Sequence, residues 1–190
     1  MGLTFMFKQK NNGFTLIELI VVIVVLAVLA VSALPRFLNI QDDAKVAVMD
    51  GVKGSLSGGV GIAYGKLAAN GLETKTYTGQ PSGLDPNYPD LTDIFPDCTT
   101  ANCAFYRGYP SARRESLAIV ISGVGEGEDL NFADLDEQFV NIDGKLAMQI
   151  ALTDTKNIND DMLVSGSCHV LYAMWLNANE PPIIELVGCE

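Results

Sequence analysis

Apolar residues run almost unbroken from Phe14 to Leu34, and after Leu19 only Ser32 interrupts them. That stretch offers about 21 residues, close to the roughly 20 a helix needs to cross a bilayer. Pro35 follows it. A proline inside a helix removes one hydrogen bond and crowds the preceding turn, at about 3 kcal/mol, so the helix either stops there or kinks and continues. Beyond it, Phe37, Ile40, Ala44, Val48, Val52, Leu56 and Val60 recur at three- and four-residue steps. Such spacing marks an amphipathic helix and favours one kinked helix from Phe14 to about Leu67. Its second half holds Gly51, Gly54, Gly58, Gly59, Gly61 and Gly65. Each glycine costs up to about 1 kcal/mol against alanine. Either the helix frays near Gly58, or small residues let it approach the sheet or a neighbouring helix closely.

The pattern then changes. Residues 70–116 are dense in turn formers, including Asn70-Gly71, Gln80-Pro81-Ser82-Gly83, Asp85-Pro86-Asn87 and Tyr88-Pro89-Asp90, and read as a long surface-covering loop region. Four later runs read as strands: LAIVIS (117–122), KLAMQIAL (145–152), CHVLYAMWL (168–176) and PIIELVGC (182–189). The expected fold is α+β. A long kinked N-terminal helix, its first half transmembrane, packs its second half on an antiparallel sheet of about four strands. Between the last two strands, Asn177-Ala178-Asn179-Glu180 reads as a four-residue turn. If Leu176 faces Pro181, Cys168 falls opposite Cys189, close enough for a disulfide. Cys98 and Cys103 remain as the second pair, closing a small loop of their own. Two disulfides suit an exported chain, and neither spacing suits a zinc knuckle.

The export argument comes from the N-terminus. Residues 1–13, MGLTFMFKQKNNG, carry Lys8 and Lys10 ahead of the apolar run. Basic residues stay on the cytoplasmic side, which sends the C-terminal part outward. A secretory signal peptide has a shorter apolar stretch ending in a small-residue cleavage site, which Ala30-Val31-Ser32 imitates, but this run is long for one. A plain anchor fits the length and does not account for Glu18. A carboxylate left in the bilayer costs about 2.5–3.5 kcal/mol, so it needs a partner. Gly13-Phe14-Thr15-Leu16-Ile17-Glu18 resembles the processing motif of type IV prepilins. That resemblance implies cleavage between Gly13 and Phe14 by a prepilin peptidase and methylation of the new Phe14 amine. It also implies that Glu18 neutralises a neighbouring subunit's N-terminal amine during assembly. A bridged C-terminal segment is likewise general among type IV pilins, in agreement with the Cys168–Cys189 register. Ala33 to Ala44, ALPRFLNIQDDA, is similar to the stretch after the membrane segment in pilins of the mannose-sensitive haemagglutinin (MSHA) type.

Charge narrows the functions further. The formal net charge of −11 argues against a nucleic-acid partner. His169 is the sole histidine and sits in an expected strand beside Cys168, so a Ser-His-Asp constellation finds little support. The acidic runs 126–137 and 154–161 lack the spacing of an EF-hand loop and read as solvated. Arg107, Arg113 and Arg114 form the one basic cluster of the head. They meet acidic loops of adjacent subunits, bind surfaces or DNA, or are simply solvated. The aromatics Tyr77, Tyr88, Phe95, Phe105, Tyr106 and Tyr109 are either adhesive or loop anchors.

The expected organisation is a leader at 1–13, a membrane and filament-core helix half at 14–34, an amphipathic half at 35–67 and a head at 68–190. The resemblance implies a non-enzymatic subunit without metal or cofactor. It would polymerise with other pilin subunits, after the peptidase, on an assembly platform in the inner membrane. The leading expectation is a major pilin of a surface filament used for attachment. A minor pilin, or a pseudopilin of a type II secretion system, shares the same N-terminus, and a membrane-tethered enzyme is a remote third.

Overall fold

A computed structural model describes residues 13–79, 88–100 and 102–189, leaving aside the side chains of 33–39, 41 and 42. The leader residues 1–12 and the turns expected at 80–87 therefore lie outside the described residues. The chain divides into two compact units, Met1–Ala44 and Lys45–Glu190. Helix α1 (Leu16–Ala69) continues through Pro35 rather than ending there. The second unit is α+β. Short strands β1 (Thr78–Gly79), β2 (Ala104–Tyr106) and β3 (Tyr109–Pro110) form one antiparallel sheet. The short helix α2 (Arg114–Leu117) comes next. Strands β4 (Leu130–Ala133), β5 (Phe139–Ile142) and β6 (Lys145–Asp154) follow, then the hairpin of β7 (Ile158–Asn159) and β8 (Met162–Leu163). Strands β9 (His169–Trp175) and β10 (Ile183–Val187) complete the chain.

The main sheet has five strands, not about four, in the order β10-β9-β6-β4 with β5 also on β6, all antiparallel. The ten-residue β6 is long enough to take β5 against Lys145–Met148 and β4 against Ala151–Asp154. Side chains alternate across a strand. One face therefore gathers Phe132, Met148, Ile150, Leu152, Val170, Tyr172 and Met174 into the core, with Met49, Leu56 and Val60 from α1. A second cluster joins Ala63 and Leu67 to Leu91, Phe95, Phe105 and both Cys98 and Cys103.

The helix stripe is corrected in its first half. Val48 is 59% exposed, whereas Met49 is buried at 5%. Strict four-residue steps slide about 40° around a helix each time, so a row that is right at Leu56 and Val60 has rotated out of the core by Val48. The expected strand LAIVIS is also corrected. Its start closes α2, and Val120 and Ile121 continue as a turn, their N–H groups donating to the Leu117 carbonyl. Leu117 and Ile121, four residues apart, are both buried, the helical spacing that the β-branched composition masked.

Both disulfides are formed, Cys98–Cys103 and Cys168–Cys189, with Cα separations of 5.4 and 4.4 Å. The register behind the second is one residue away from the expected one. Ile183 faces Ala173 and Val187 faces His169, so the ladder brings Gly188, not Cys189, opposite Cys168. A one-residue slip would turn Cys189 to the wrong face. Gly188 has φ +69°, and this left-handed, bulge-like step swings Cys189 back to Cys168. The loop is longer than expected because the Leu176 N–H donates to the Leu146 carbonyl on β6, at 2.9 Å, and Leu146 N–H donates to Asn177 Oδ1. Replacing Cys168 and Cys189 together by serine is expected to cost the head about 3 kcal/mol, the loop-closure value for some twenty residues. Thermal unfolding of the full chain in detergent, with and without reductant, reads this loss. An unchanged midpoint in the double variant would contradict it.

Candidate processing and assembly site

The processing site is built where the chain enters α1. Residues 13–15 precede the helix, so the Gly13–Phe14 bond is not locked in helical hydrogen bonding. Phe14 is 91% exposed, and among the described residues nothing lies within 4 Å of the place where a side chain on Gly13 would sit.

Glu18 lies in the first helical turn, where a carboxylate meets the positive end of the helix dipole. Its Oε2 accepts hydrogen bonds from the Thr15 backbone N–H and from Thr15 Oγ1, each at 2.9 Å. The Glu18 N–H donates back to Thr15 Oγ1 at 3.3 Å. This is a capping box, in which a threonine and a glutamate three residues on satisfy each other's free N–H groups. Thr15 therefore belongs to the site. Sequence reasoning passed over it, although Thr-x-x-Glu ahead of an apolar run is its signature. Both bonds from Thr15 fall on one oxygen, and the box holds the carboxylate at the N-terminal end of the helix.

Further along, Ser32 Oγ donates to the carbonyls of Val28 and Leu29 at 2.9 and 3.1 Å, so its hydroxyl is satisfied within the helix. The large apolar side chains from Leu16 to Val31 are 48–76% exposed. Apart from Glu18 this part of α1 is apolar all round, and among the described residues none of its large side chains is buried. Helices of that kind are covered by lipid or by other helices. Among the described residues no helix is by itself long and apolar enough to cross a membrane, and the described side chains of this run stop at Ser32.

The head's other candidates are engaged structurally. Arg114 pairs with Asp161 at 3.1 Å, and Arg113 donates to Asn102 Oδ1 at 3.2 Å, while Arg107 occupies a tight turn at φ +48°. His169 is buried, with Nδ1–H donating to the Ser167 carbonyl at 2.8 Å. The aromatics pack mainly on one another: Phe95 stacks on Phe105 at 5.0 Å, and Tyr77 meets Tyr106 at 4.5 Å and Tyr88 at 4.9 Å. Burial, then the neighbouring Tyr106, pushes the Tyr77 phenol well above its ordinary range. Among the described residues no group of His, Cys, Asp and Glu side chains could hold a metal ion.

No curated protein and no solved structure matches the chain. Residues 8–34 match the family described as the prokaryotic N-terminal methylation motif, which spans Gly13, Phe14, Thr15 and Glu18 and supports a type IV pilin-like prepilin.

Proposed function

We propose that this chain is the structural, major subunit of a type IV pilus-like surface filament used for attachment, resembling the MSHA type. The observation that carries the reading is the first part of α1, a helix whose large apolar side chains are exposed among the described residues, opened by a glutamate held toward its N-terminal end. On this reading residues 1–13 are a leader, cut after Gly13, and Phe14 becomes N-methylated. Residues 14–34 hold the subunit in the bacterial inner membrane with the head outward. Polymerisation on the assembly platform then exchanges lipid for other subunits' helices. On the same reading Pro35 serves as the kink between the membrane half and the amphipathic half at 35–67, and 68–190 form the head.

Glu18 supplies the register. Its Oε2 is committed to Thr15, which leaves the other oxygen for the Phe14 amine of an adjacent subunit. A charge pair in a lipid-like medium is far stronger than in water, and a subunit entering with the wrong stagger leaves a charge unpaired, at several kcal/mol. The glycines of α1 support close packing in the polymer. Around Gly51, Gly54, Gly58, Gly61 and Gly65 an added side-chain carbon would meet nothing among the described residues, so no contact described there offsets their helix cost. A minor pilin or pseudopilin would share this N-terminus. Shearing surface fibres from cells separates the readings: a major subunit dominates the released protein. A trace component would make this chain a minor pilin or pseudopilin instead.

A further inference from the structure

The charge of this chain is divided between its two units in a way that bears on assembly. In the uncut chain Lys8, Lys10 and Arg36 balance Glu18, Asp42 and Asp43 within residues 1–44, so the formal charge of −11 belongs to residues 45–190, the second compact unit. Removal of the leader takes Lys8 and Lys10 away and leaves the assembling subunit more acidic still. The fold concentrates it further. Leu130 of β4 faces Asp154 of β6, and the Thr155 N–H donates to the Asp129 carbonyl at 3.0 Å, so Asp129 and Asp154 lie together at the end of the main sheet. The Asp134 N–H donates to the Asp161 carbonyl at 2.7 Å, which brings in the hairpin carrying Asp160. Glu126 and Glu128 stand exposed just before β4. Of the nearby cations, Arg114 is already paired with Asp161.

We propose that polymerisation of this chain is set by ionic strength, with the like charge of neighbouring heads opposing assembly until mobile cations screen it. The inference rests on the filament-subunit reading. High net charge keeps proteins apart, and its reach depends on salt. The screening length is about 30 Å at 0.01 M and about 8 Å at 0.15 M. A head of this size has a radius of gyration of about 15 Å. Adjacent heads therefore feel each other's full charge at low salt and only their touching surfaces at physiological salt. The carboxylates converge on no metal-binding group among the described residues, so screening is diffuse and any monovalent cation serves.

The test uses fibres sheared from cells, heated at pH 7 in about 10 mM or 150 mM NaCl and followed by light scattering. The dissociation midpoint is expected to rise by at least about 5 °C between the two salts. Choline chloride at equal ionic strength should reproduce the rise. The variant Glu126→Gln/Glu128→Gln/Asp129→Asn/Asp160→Asn should melt higher than wild type at low salt and respond about half as much to added salt. A midpoint indifferent to salt, a variant with the wild-type salt response, or a requirement for calcium at fixed ionic strength would each overturn the inference while leaving the filament reading intact. Absence of fibres at every ionic strength would overturn both.

Discussion

Glu18→Ala is expected to leave cleavage after Gly13 and membrane residence intact and to abolish most filament formation. Removing one partner of a desolvated ion pair costs about 3–5 kcal/mol, and each 1.4 kcal/mol is a factor of ten. Filament yield should therefore fall at least a hundredfold. Because Glu18 also completes the capping box with Thr15, the alanine change removes two functions together. Glu18→Gln separates them. Its amide oxygen can still accept from the Thr15 N–H and hydroxyl, but it carries no charge. Glutamine should fail nearly as badly as alanine, whereas Thr15→Ala, which loses the cap and keeps the charge, should cost only about 1 kcal/mol of helix stability. Quantifying sheared fibres alongside the processed subunit in membranes reads all three. Full yield from Glu18→Gln would mean that the cap, not the charge, is what assembly uses.

Two adjacent glycines should respond to alanine with opposite signs. A side-chain carbon on Gly59 would overlap the carbonyl oxygen of Val120, whereas one on Gly58 would meet nothing. Val120 belongs to the turn after α2, so Gly59 is where α1 rests directly on backbone. Backbone cannot yield as a side chain does, and overpacking costs about 1–3 kcal/mol or more. Gly59→Ala should lower the head's unfolding midpoint by several degrees, at about 2–4 °C per kcal/mol for a domain of this size. Gly58→Ala gains up to about 1 kcal/mol in helix propensity and should raise the midpoint by about 2–4 °C. Thermal unfolding of each full-length variant in detergent measures both. Equal shifts would mean that the packing of α1 on this turn is wrong.

These contrasts also mark what could be read from the residues in advance. Helical periodicity and the strand runs 145–152, 168–176 and 182–189 gave the α+β class, because long segments carry many matching positions. The short strands β4 and β5 escaped notice. LNFA and FVNI lie in an acidic stretch that resembles a solvated loop, and only pairing with β6 makes them strands. The run LAIVIS failed for the opposite reason. Its β-branched residues suggest a strand, but burying Leu117 and Ile121 on one side requires a helical turn. Cys168 and Cys189 were matched on an assumed register; the structure reaches the same bond through Gly188, whose positive φ leaves no mark in a hydrophobicity pattern. At the N-terminus the motif was legible down to Gly13, Phe14 and Glu18. The role of Thr15 is less legible, because it carries no charge and acts on the backbone N–H groups that any helix start leaves open.

The central claim is that this chain is processed as a prepilin before it assembles. Mass spectrometry of the N-terminal peptide of the mature chain, taken from sheared fibres and from membranes, tests it most directly. The peptide should begin at Phe14 and carry a methylated amine. A mature chain that still begins at Met1, or one cut near Ser32, would contradict it.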